Sequence, residues 1–250
     1  MKHAILLIIL LGFSSVEFIS TATYTCDPTV SCGCSTVSTI VTARIAGGES
    51  AKNNSWGWML SLQQNYNHIC GASLLTPEYA VTAAHCVIPS INDTSMLSIL
   101  AGTNYLNDVS SPTIQRRIIT QIIPHPNYDS TDFVYDIAII RFDPLNVSLD
   151  SKLAFICLPN ANEDPFQVNS SLVAIGWGVN FILSNVPMNA LQQVTVQVGS
   201  STSDACTQSN LVNSDVEFCA GVITGGKGKF SSFSLSLQSY FYFVYRHMSW

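Results

Sequence analysis

Short apolar runs alternate with polar separators along most of the chain, from Trp56 onward. The runs have the length of β-strands and are rich in β-branched and aromatic residues, and few stretches keep the helical period of about 3.6 residues. The separators contain Asn, Pro, Asp and Gly, which favour turns. The pattern therefore predicts an all-β domain built as a barrel or a sandwich. The runs are WGWMLSLQ, HICGASLL, YAVTAAHC, LSILAGT, TIQRRIITQIIP, DIAIIRF, LVAIGWG and LQQVTVQV.

A different apolar run, Ala4–Phe13, lies at the N-terminus, where it follows Lys2 and precedes small residues at positions 20–22. It is shorter than the stretch of about 20 residues that a membrane-spanning helix needs. A positively charged start, a short apolar centre and a small-residue exit are typical of a cleaved signal peptide. We therefore expect residues 1–22 to be removed and the mature protein to be secreted, extracellular and not held in a membrane.

Composition narrows the class of protein further. The 250-residue chain is long enough, without its leader, for one domain of about 200–250 residues. Apolar residues make up 47% and charged residues 10%, so the chain can bury a core, and its net charge of -6 offers no basic face for nucleic acid. Its eight cysteines lack the spacing of metal fingers and indicate disulfides formed in an oxidising compartment.

Residues 23–44 are rich in Thr, Ser and Val and hold three closely spaced cysteines, Cys26, Cys32 and Cys34. They show no helical period and little apolar bulk. The next stretch is ARIAGGES, in which Arg44 precedes Ile45 and a pair of glycines. Such a junction is exposed, flexible and cleavable. We predict a cysteine-rich pro-segment that an activating protease cuts after Arg44, with an ordinary surface loop as the alternative.

Two short motifs carry the candidate chemistry. YAVTAAHC places His85 directly before Cys86 at the end of a predicted strand, and a bridge from Cys86 back to Cys70 would hold His85 in place. DIAIIRF places Asp136 at the mouth of an apolar strand, where an ionised carboxylate needs a partner. Asp136 is either a turn or cap residue paired with Arg141, or the carboxylate that orients the His85 imidazole.

These motifs and their order resemble the trypsin/chymotrypsin family of secreted serine endopeptidases, peptidase S1. The resemblance extends from Ile45 to Lys227, and Cys157 in FICLP resembles the cysteine that ties the family's pro-segment to its catalytic domain. No single motif is specific, but together they form a strong signature. The matching segments are Ile45-Ala46-Gly47-Gly48 after Arg44, Thr82-Ala83-Ala84-His85-Cys86, Asp136-Ile137-Ala138, Gly176-Trp177-Gly178 and Cys219-Ala220-Gly221.

The resemblance implies two antiparallel six-stranded β-barrels with the active site in the cleft between them. It implies His85 as the general base, Asp136 as the residue that orients it, protein or peptide substrates, and no cofactor. It also implies disulfides. The implied pairs are Cys70–Cys86, Cys206–Cys219, Cys157 with one of Cys26, Cys32 and Cys34, and the remaining two of those three with each other.

The sequence departs from the family where the nucleophile is expected. No GDSGG motif occurs, and counting without gaps places Ser234 at the nucleophile position. The family's turn needs glycines on both sides of the serine so that backbone amides reach the oxyanion, whereas Phe233 and Leu235 flank Ser234. We expect the chain as written to be inactive. The alternative is a non-catalytic secreted glycoprotein that binds proteases, inhibitors or peptides.

The missing nucleophile motif also determines the expected domain boundaries. Residues 45–227 are predicted to form a partial trypsin-like domain whose second barrel is incomplete. Residues 228–250 are predicted to be a non-homologous tail, from a retained intron or a mispredicted exon. This tail contains YFYFVY, a β-prone run of the type that aggregates when it is exposed.

Two further kinds of site were considered. Asn53, Asn92, Asn146 and Asn169 each begin a glycosylation sequon in a polar separator. A metal site at His85 is not expected, because no second His or acid lies at ligand spacing and Cys86 is better used in a disulfide.

Overall fold

The computed structural model describes residues 21–24, 29, 31–35, 37, 39–42, 48–108, 110–148, 152–159, 167–178, 187–207, 218–224, 229–231 and 243–246. Strands dominate these residues, which confirms the all-β prediction. The strands are β1 (Thr21–Tyr24), β2 (Thr39–Thr42), β3 (Glu49–Ser50), β4 (Met59–Gln64), β5 (Asn67–Thr76), β6 (Tyr79–Thr82), β7 (Leu97–Ala101), β8 (Gln115–Pro124), β9 (Ala138–Phe142), β10 (Ser171–Gly176), β11 (Gln192–Val198), β12 (Ala220–Thr224), β13 (Lys229–Ser231) and β14 (Phe243–Arg246). The helices are α1 (Ala84–Val87), a 3-10 turn (Ile88–Ser90) and α2 (Asp204–Thr207).

The first half of the domain is a closed six-stranded barrel with the strand order β4-β5-β6-β9-β8-β7. Every neighbouring pair is antiparallel. Apolar residues from paired positions fill its interior, as when Leu62 faces Ile99 across β4 and β7 and Ala80 faces Ile140 across β6 and β9. This barrel is the first of the two that the sequence predicts.

The second half is an open sheet with the order β13-β12-β11-β10-β14, and β3 pairs with β11 outside that path. It has its own core, formed by Leu172, Ala174, Val196, Val198 and Ala220. Within the described residues, the edge strands β13 and β14 are not paired with each other. The second barrel is therefore incomplete in this part of the chain, as predicted.

Two strands of this sheet come from the predicted tail. β13 forms a hairpin with β12, in which Ile223 faces Phe230. β14 pairs with β10 from Leu172 to Ile175. The β-prone run of the tail indicated an aggregation hazard. Over residues 243–246, its strand is instead paired within the chain.

The N-terminal segment is tied to the domain. β1 and β2 form a hairpin, and Val41 on β2 is fully buried. Cys32 is bonded to Cys157 with a Cα–Cα distance of 5.1 Å, which selects one of the three pairings left open by the sequence. Cys34 is also disulfide-bonded. Cys26 and the Arg44–Ile45 junction lie outside the described residues. β1 begins inside the predicted signal peptide, at Thr21.

Asn104 joins the barrel to the second sheet. Its side-chain oxygen accepts a hydrogen bond from the Asn54 amide at 3.0 Å, and its side-chain nitrogen donates to the Ala51 carbonyl at 3.3 Å. Its own carbonyl accepts from the amide of Leu191 at 2.7 Å and from the Trp177 indole at 3.0 Å. Because Asn104 is buried, these bonds are shielded from water and specify how the two halves meet.

Replacement of Asn104 by alanine is expected to lower the free energy of unfolding by about 2 kcal/mol. The substitution removes the side-chain bonds and leaves the Asn54 amide and the Ala51 carbonyl without that partner. Urea denaturation measures the loss. The exposed neighbour Asn107 provides the control, since Asn107→Ala is expected to change stability by less than about 0.5 kcal/mol. Equal effects of the two substitutions would refute the role given to Asn104.

Candidate active site

The pairing of β6 with β9 brings the two predicted site residues together. Thr82, the last residue of β6, faces Ala138, the first residue of β9. His85 lies shortly after Thr82 and Asp136 shortly before Ala138, so antiparallel pairing puts both beyond the same end of the strand pair. The juxtaposition follows from the sequence positions of the two residues once the structure supplies the strand register.

His85 and Asp136 make two contacts. Nδ1 of His85 lies 2.6 Å from Oδ2 of Asp136, and the backbone amide of His85 donates to Oδ1 at 2.8 Å. The Asp136 side chain is fully buried, whereas 18% of the His85 side chain is exposed. An ionised carboxylate only accepts hydrogen bonds, so Nδ1 carries the proton. When the imidazole carries only that proton, Nε2 is unprotonated, which is the form a general base requires.

Arg141, the other partner considered for Asp136, lies elsewhere. It faces Tyr79 at the far end of the strand pair and binds Glu78, with 3.2 Å between Nη2 and Oε2. The geometry thus favours the interpretation in which Asp136 orients His85 over the interpretation in which it is a cap paired with Arg141.

A disulfide lies against the imidazole. Cys70 and Cys86 are bonded with a Cα–Cα distance of 6.4 Å, and Sγ of Cys86 lies 3.3 Å from Nε2 of His85. One ligand-type atom from each of Cys70, His85 and Cys86 lies within 4.8 Å of the others. Metal ions bind cysteine as the thiolate. Because the two sulfurs are bonded to each other, this group is not a metal site while the disulfide is intact.

The segment before Asp136 contributes aromatic contacts that sequence reasoning missed. The Phe133 ring meets the His85 ring edge to face, with centroids 5.8 Å apart. Tyr135 stacks on His125 at 4.7 Å. Phe133 and Tyr135 both have positive φ, at 57° and 55°. Bulky residues rarely adopt that conformation, so neither residue type signalled it in the sequence.

The strained segment also fixes where Asp136 sits. The amide of Ile137 donates to the Tyr135 carbonyl at 2.7 Å, which closes a tight turn around Asp136. The amide of His125 donates to the Ile137 carbonyl at 2.9 Å and ties that turn to the end of β8. Asp136 is therefore held by backbone bonds on its C-terminal side as well as by His85.

A second histidine, His68 on β5, is kept neutral by its surroundings. Burial lowers the pKa of its imidazole from 6.5 to about 4. Its Nδ1 lies 2.9 Å from the Ser61 hydroxyl, and its ring meets Trp177 edge to face at 5.6 Å. Neither contact supplies a negative charge, so neither offsets the cost of protonating His68.

The lowered pKa of His68 predicts that the folded protein loses stability as the pH falls. Its folded pKa is below the usual 6.5, so the unfolded state binds the proton first as the pH falls, and stability is lost from about pH 6.5 down to about pH 4. The full difference corresponds to at most about 3 kcal/mol, and partial exposure of the ring reduces the expected loss to about 2 kcal/mol. Urea denaturation at several pH values measures it. His68→Gln should flatten the profile over this range, and an unchanged profile would contradict the prediction.

The other predicted residues are distributed as follows. Cys206 and Cys219 are bonded, with a Cα–Cα distance of 5.8 Å. Trp177 of the GWG segment is buried. The sequon asparagines are all exposed in loops, namely Asn53, Asn92, Asn146 and Asn169. Arg44, Ile45 and Ser234 lie outside the described residues.

The closed antiparallel barrel, the open partner sheet and the His85–Asp136 contact define the class as a trypsin-like domain. The trypsin family model matches residues 45–231. The chain belongs to the trypsin family of serine proteases.

Named relatives agree with this family. The chain is similar to transmembrane protease serine 11G of Rattus norvegicus, with 34% identity over 189 residues that cover 73% of this chain and 42% of that protein. The Mus musculus protein of the same name is 35% identical over the same shares. The suppressor of tumorigenicity 14 protein homolog of Bos taurus is 32% identical over 141 residues, which cover 54% of this chain and 16% of that protein.

The chain spans less than half the length of these relatives. Within the described residues, no helix is both long and apolar enough to cross a membrane.

Proposed function

We propose that this chain carries the acid–base half of a serine endopeptidase site. In this proposal His85 is the general base and Asp136 orients it. The observation that supports it most directly is the pair of contacts from Asp136, one to the imidazole and one to the His85 amide. Together these contacts restrict both the position and the tautomer of the ring. Protein or peptide segments are the substrate class that the family implies.

We further propose that the chain as written does not hydrolyse peptide bonds. A general base accelerates acyl transfer only when a nucleophile lies within its reach. The sequence contains no GDSGG motif, and Ser234 is flanked by Phe233 and Leu235 rather than by glycines. Without glycines on both sides of the serine we expect no family-type oxyanion hole either, so little residual catalysis is expected.

A hydrolysis assay tests this proposal. The purified chain, cut after Arg44 and freed of the activating protease, is incubated with a library of fluorogenic peptides. We expect no turnover above that of His85→Ala, which serves as the control for contaminating proteases. Turnover that is lost in both His85→Ala and Ser234→Ala would overturn the proposal and establish Ser234 as the nucleophile.

Secretion belongs to the same proposal. The disulfides Cys32–Cys157, Cys70–Cys86 and Cys206–Cys219 support passage through an oxidising compartment. We propose cleavage after residue 22, activation after Arg44, and glycans at the exposed sequon asparagines. Intact-mass analysis of protein collected from culture medium, before and after enzymatic removal of N-glycans, tests these features together. An N-terminus that retains residues 1–22 would contradict the signal-peptide assignment.

A second candidate is a non-catalytic secreted glycoprotein that binds proteases, inhibitors or peptides. It requires a stably folded domain. The pairing of β14 with β10 favours it, because a strand of the predicted tail covers one edge of the second sheet. Secretion of the chain as a soluble monomer with protected backbone amides would support this candidate, and complete aggregation would exclude it.

A further inference from the structure

One glycosylation sequon differs from the others in the burial of its hydroxyl residue. Ser55, the third residue of the sequon that begins at Asn53, is fully buried, although Asn53 itself is exposed. In the other three sequons the third residue is exposed or half-buried, namely Thr94, Ser148 and Ser171. Asn53 is therefore the only one of the four sequon asparagines that precedes a buried hydroxyl residue at the third position.

The Ser55 hydroxyl makes no hydrogen bond within the part of the chain that the structure describes. A buried hydroxyl without a partner destabilises the folded state, because it has lost its hydrogen bonds to water. The hydroxyl thus has no stabilising polar contact among the described residues. The sequon requires it nonetheless, since the pattern Asn-X-Ser/Thr is the acceptor for N-linked glycans.

The segment that carries this sequon is held in a turn. The Asn54 amide donates to the side-chain oxygen of Asn104 at 3.0 Å, and the Ser55 amide donates to the Lys52 carbonyl at 3.0 Å. Asn54, the middle residue of the sequon, has a positive φ of 62°. An enzyme can therefore contact the Ser55 hydroxyl only when this segment opens, and the bonds to the rest of the domain oppose that opening.

Other residues that anchor this segment are synthesised long after the sequon. The Trp56 indole donates to Oε1 of Gln193 at 2.8 Å, across 137 residues of sequence. The Ala51 amide donates to the Leu191 carbonyl at 2.8 Å. Chains grow at about 5–20 residues per second, so the sequon is synthesised roughly 7–30 s before these partners. During that interval the segment lacks these native anchors.

We propose that Asn53 accepts a glycan only before the domain folds, whereas Asn146 remains an acceptor in the folded chain. In the transfer, Nδ2 of Asn53 attacks C1 of a lipid-diphosphate oligosaccharide. The C1–N bond forms, the C1–O bond to the diphosphate breaks, Nδ2 loses a proton and the lipid diphosphate leaves. Because the acceptor pattern demands Ser or Thr, the transferase must contact that hydroxyl. Burial of Ser55 blocks this contact in the folded chain, whereas the exposed Ser148 allows it.

This inference rests on the secretory route given under the proposed function and adds to it the order of two events. Folding and glycan transfer compete at Asn53, because each excludes the other once Ser55 is buried. A chain that folds first stays unmodified at Asn53. Secreted chains with and without this glycan therefore record which event came first.

Glycan transfer in vitro to the folded and the unfolded chain tests this proposal. The full chain is produced without glycans in a bacterial periplasm, and half of it is unfolded by reduction and alkylation. Both samples are incubated with purified oligosaccharyltransferase and its lipid-linked donor, and peptide mass spectrometry measures occupancy at Asn53 and Asn146. We expect occupancy at Asn53 to be at least about tenfold lower in the folded sample, and occupancy at Asn146 to differ by less than about threefold.

Ser55→Ala separates a role of the hydroxyl in glycosylation from a role in folding. It should abolish transfer to Asn53 in the unfolded sample and leave transfer to Asn146 unchanged. Because it removes a buried hydroxyl without a partner, it should also raise Tm by about 2–4 °C. The matched variant Ser148→Ala, at an exposed position, should abolish transfer to Asn146 and leave Tm within about 1 °C.

Three results would overturn the proposal. The first is equal occupancy of Asn53 in the folded and unfolded samples. The second is equal protection of Asn53 and Asn146 by folding, which would show that burial of Ser55 is not the cause. The third is a lower Tm in Ser55→Ala, which would give the hydroxyl a structural role. The assay needs neither peptide hydrolysis nor secretion by the native route, so failure here is distinguishable from failure of the proposed function.

Discussion

Trp177→Ala is expected to lower the free energy of unfolding by about 4 kcal/mol, within the range for deletion of a buried aromatic ring. The ring is 1% exposed and packs in the main core of the domain. The substitution removes its edge contact with His68 and leaves a cavity that the surrounding β-structure fills only partly. Urea denaturation of the wild-type and variant chains measures the change.

Trp177→Phe separates the indole hydrogen bond from the packing. Phenylalanine keeps most of the ring but cannot donate to the Asn104 carbonyl, which Trp177 reaches at 3.0 Å. That carbonyl still accepts from the Leu191 amide, so the expected cost is only about 1–2 kcal/mol. A cost below about 1 kcal/mol for Trp177→Ala would show that the core does not depend on this ring.

Asp136→Ala is expected to lower the free energy of unfolding by about 3 kcal/mol. The Asp136 side chain is fully buried, and its two oxygens accept hydrogen bonds from the amide and the imidazole of His85. Hydrogen bonds to a charged group each contribute about 1.5–3 kcal/mol, and alanine replaces neither acceptor. The measurement is urea denaturation combined with the NMR signal of the His85 Nδ1 proton, which should be protected from exchange only in the wild type.

Asp132→Ala is the matched control, because Asp132 lies in the same segment but is exposed. It is expected to change stability by less than about 0.5 kcal/mol and to leave the Nδ1 proton signal in place. Retention of that signal in Asp136→Ala would show that another group holds the imidazole.

The His85–Asp136 contact was predictable because local sequence and strand pairing agree. Both residues lie just outside apolar β-branched runs, and the runs pair with each other in the first barrel. The buried Asp136 carboxylate needed a partner that carries a positive charge or donates a hydrogen bond, and Arg141 and His85 were the two options. Choosing between them required the register, which places Arg141 beside Tyr79 and Glu78 instead.

The aromatic neighbours of the site were not predictable from the sequence. Phe133 and Tyr135 adopt a conformation typical of glycine and asparagine, and tertiary contacts to His85 and His125 accompany it. The same holds for Tyr66 in the β4–β5 turn. Turn propensities indicate which residues a turn prefers. They therefore do not predict a turn that is formed by residues with a low preference for it.

The tail shows a second limit of pattern reasoning. The run around residues 240–245 has the composition of an edge strand without a partner, and the sequence offered no partner for it. The structure pairs β14 with β10, which lies far away along the chain. The pairing of Cys157 was likewise open among three cysteines, and only the path of the N-terminal segment selects Cys32.

The most direct test of the central claim is labelling of the chain by a fluorophosphonate, read by intact mass. Such a reagent reports a serine that a neighbouring base has activated. The account predicts no adduct on the chain cut after Arg44, although His85 and Asp136 are in contact. A stoichiometric adduct that disappears in both Ser234→Ala and His85→Ala would contradict it, since it would show that the nucleophile is present and that its reactivity depends on His85.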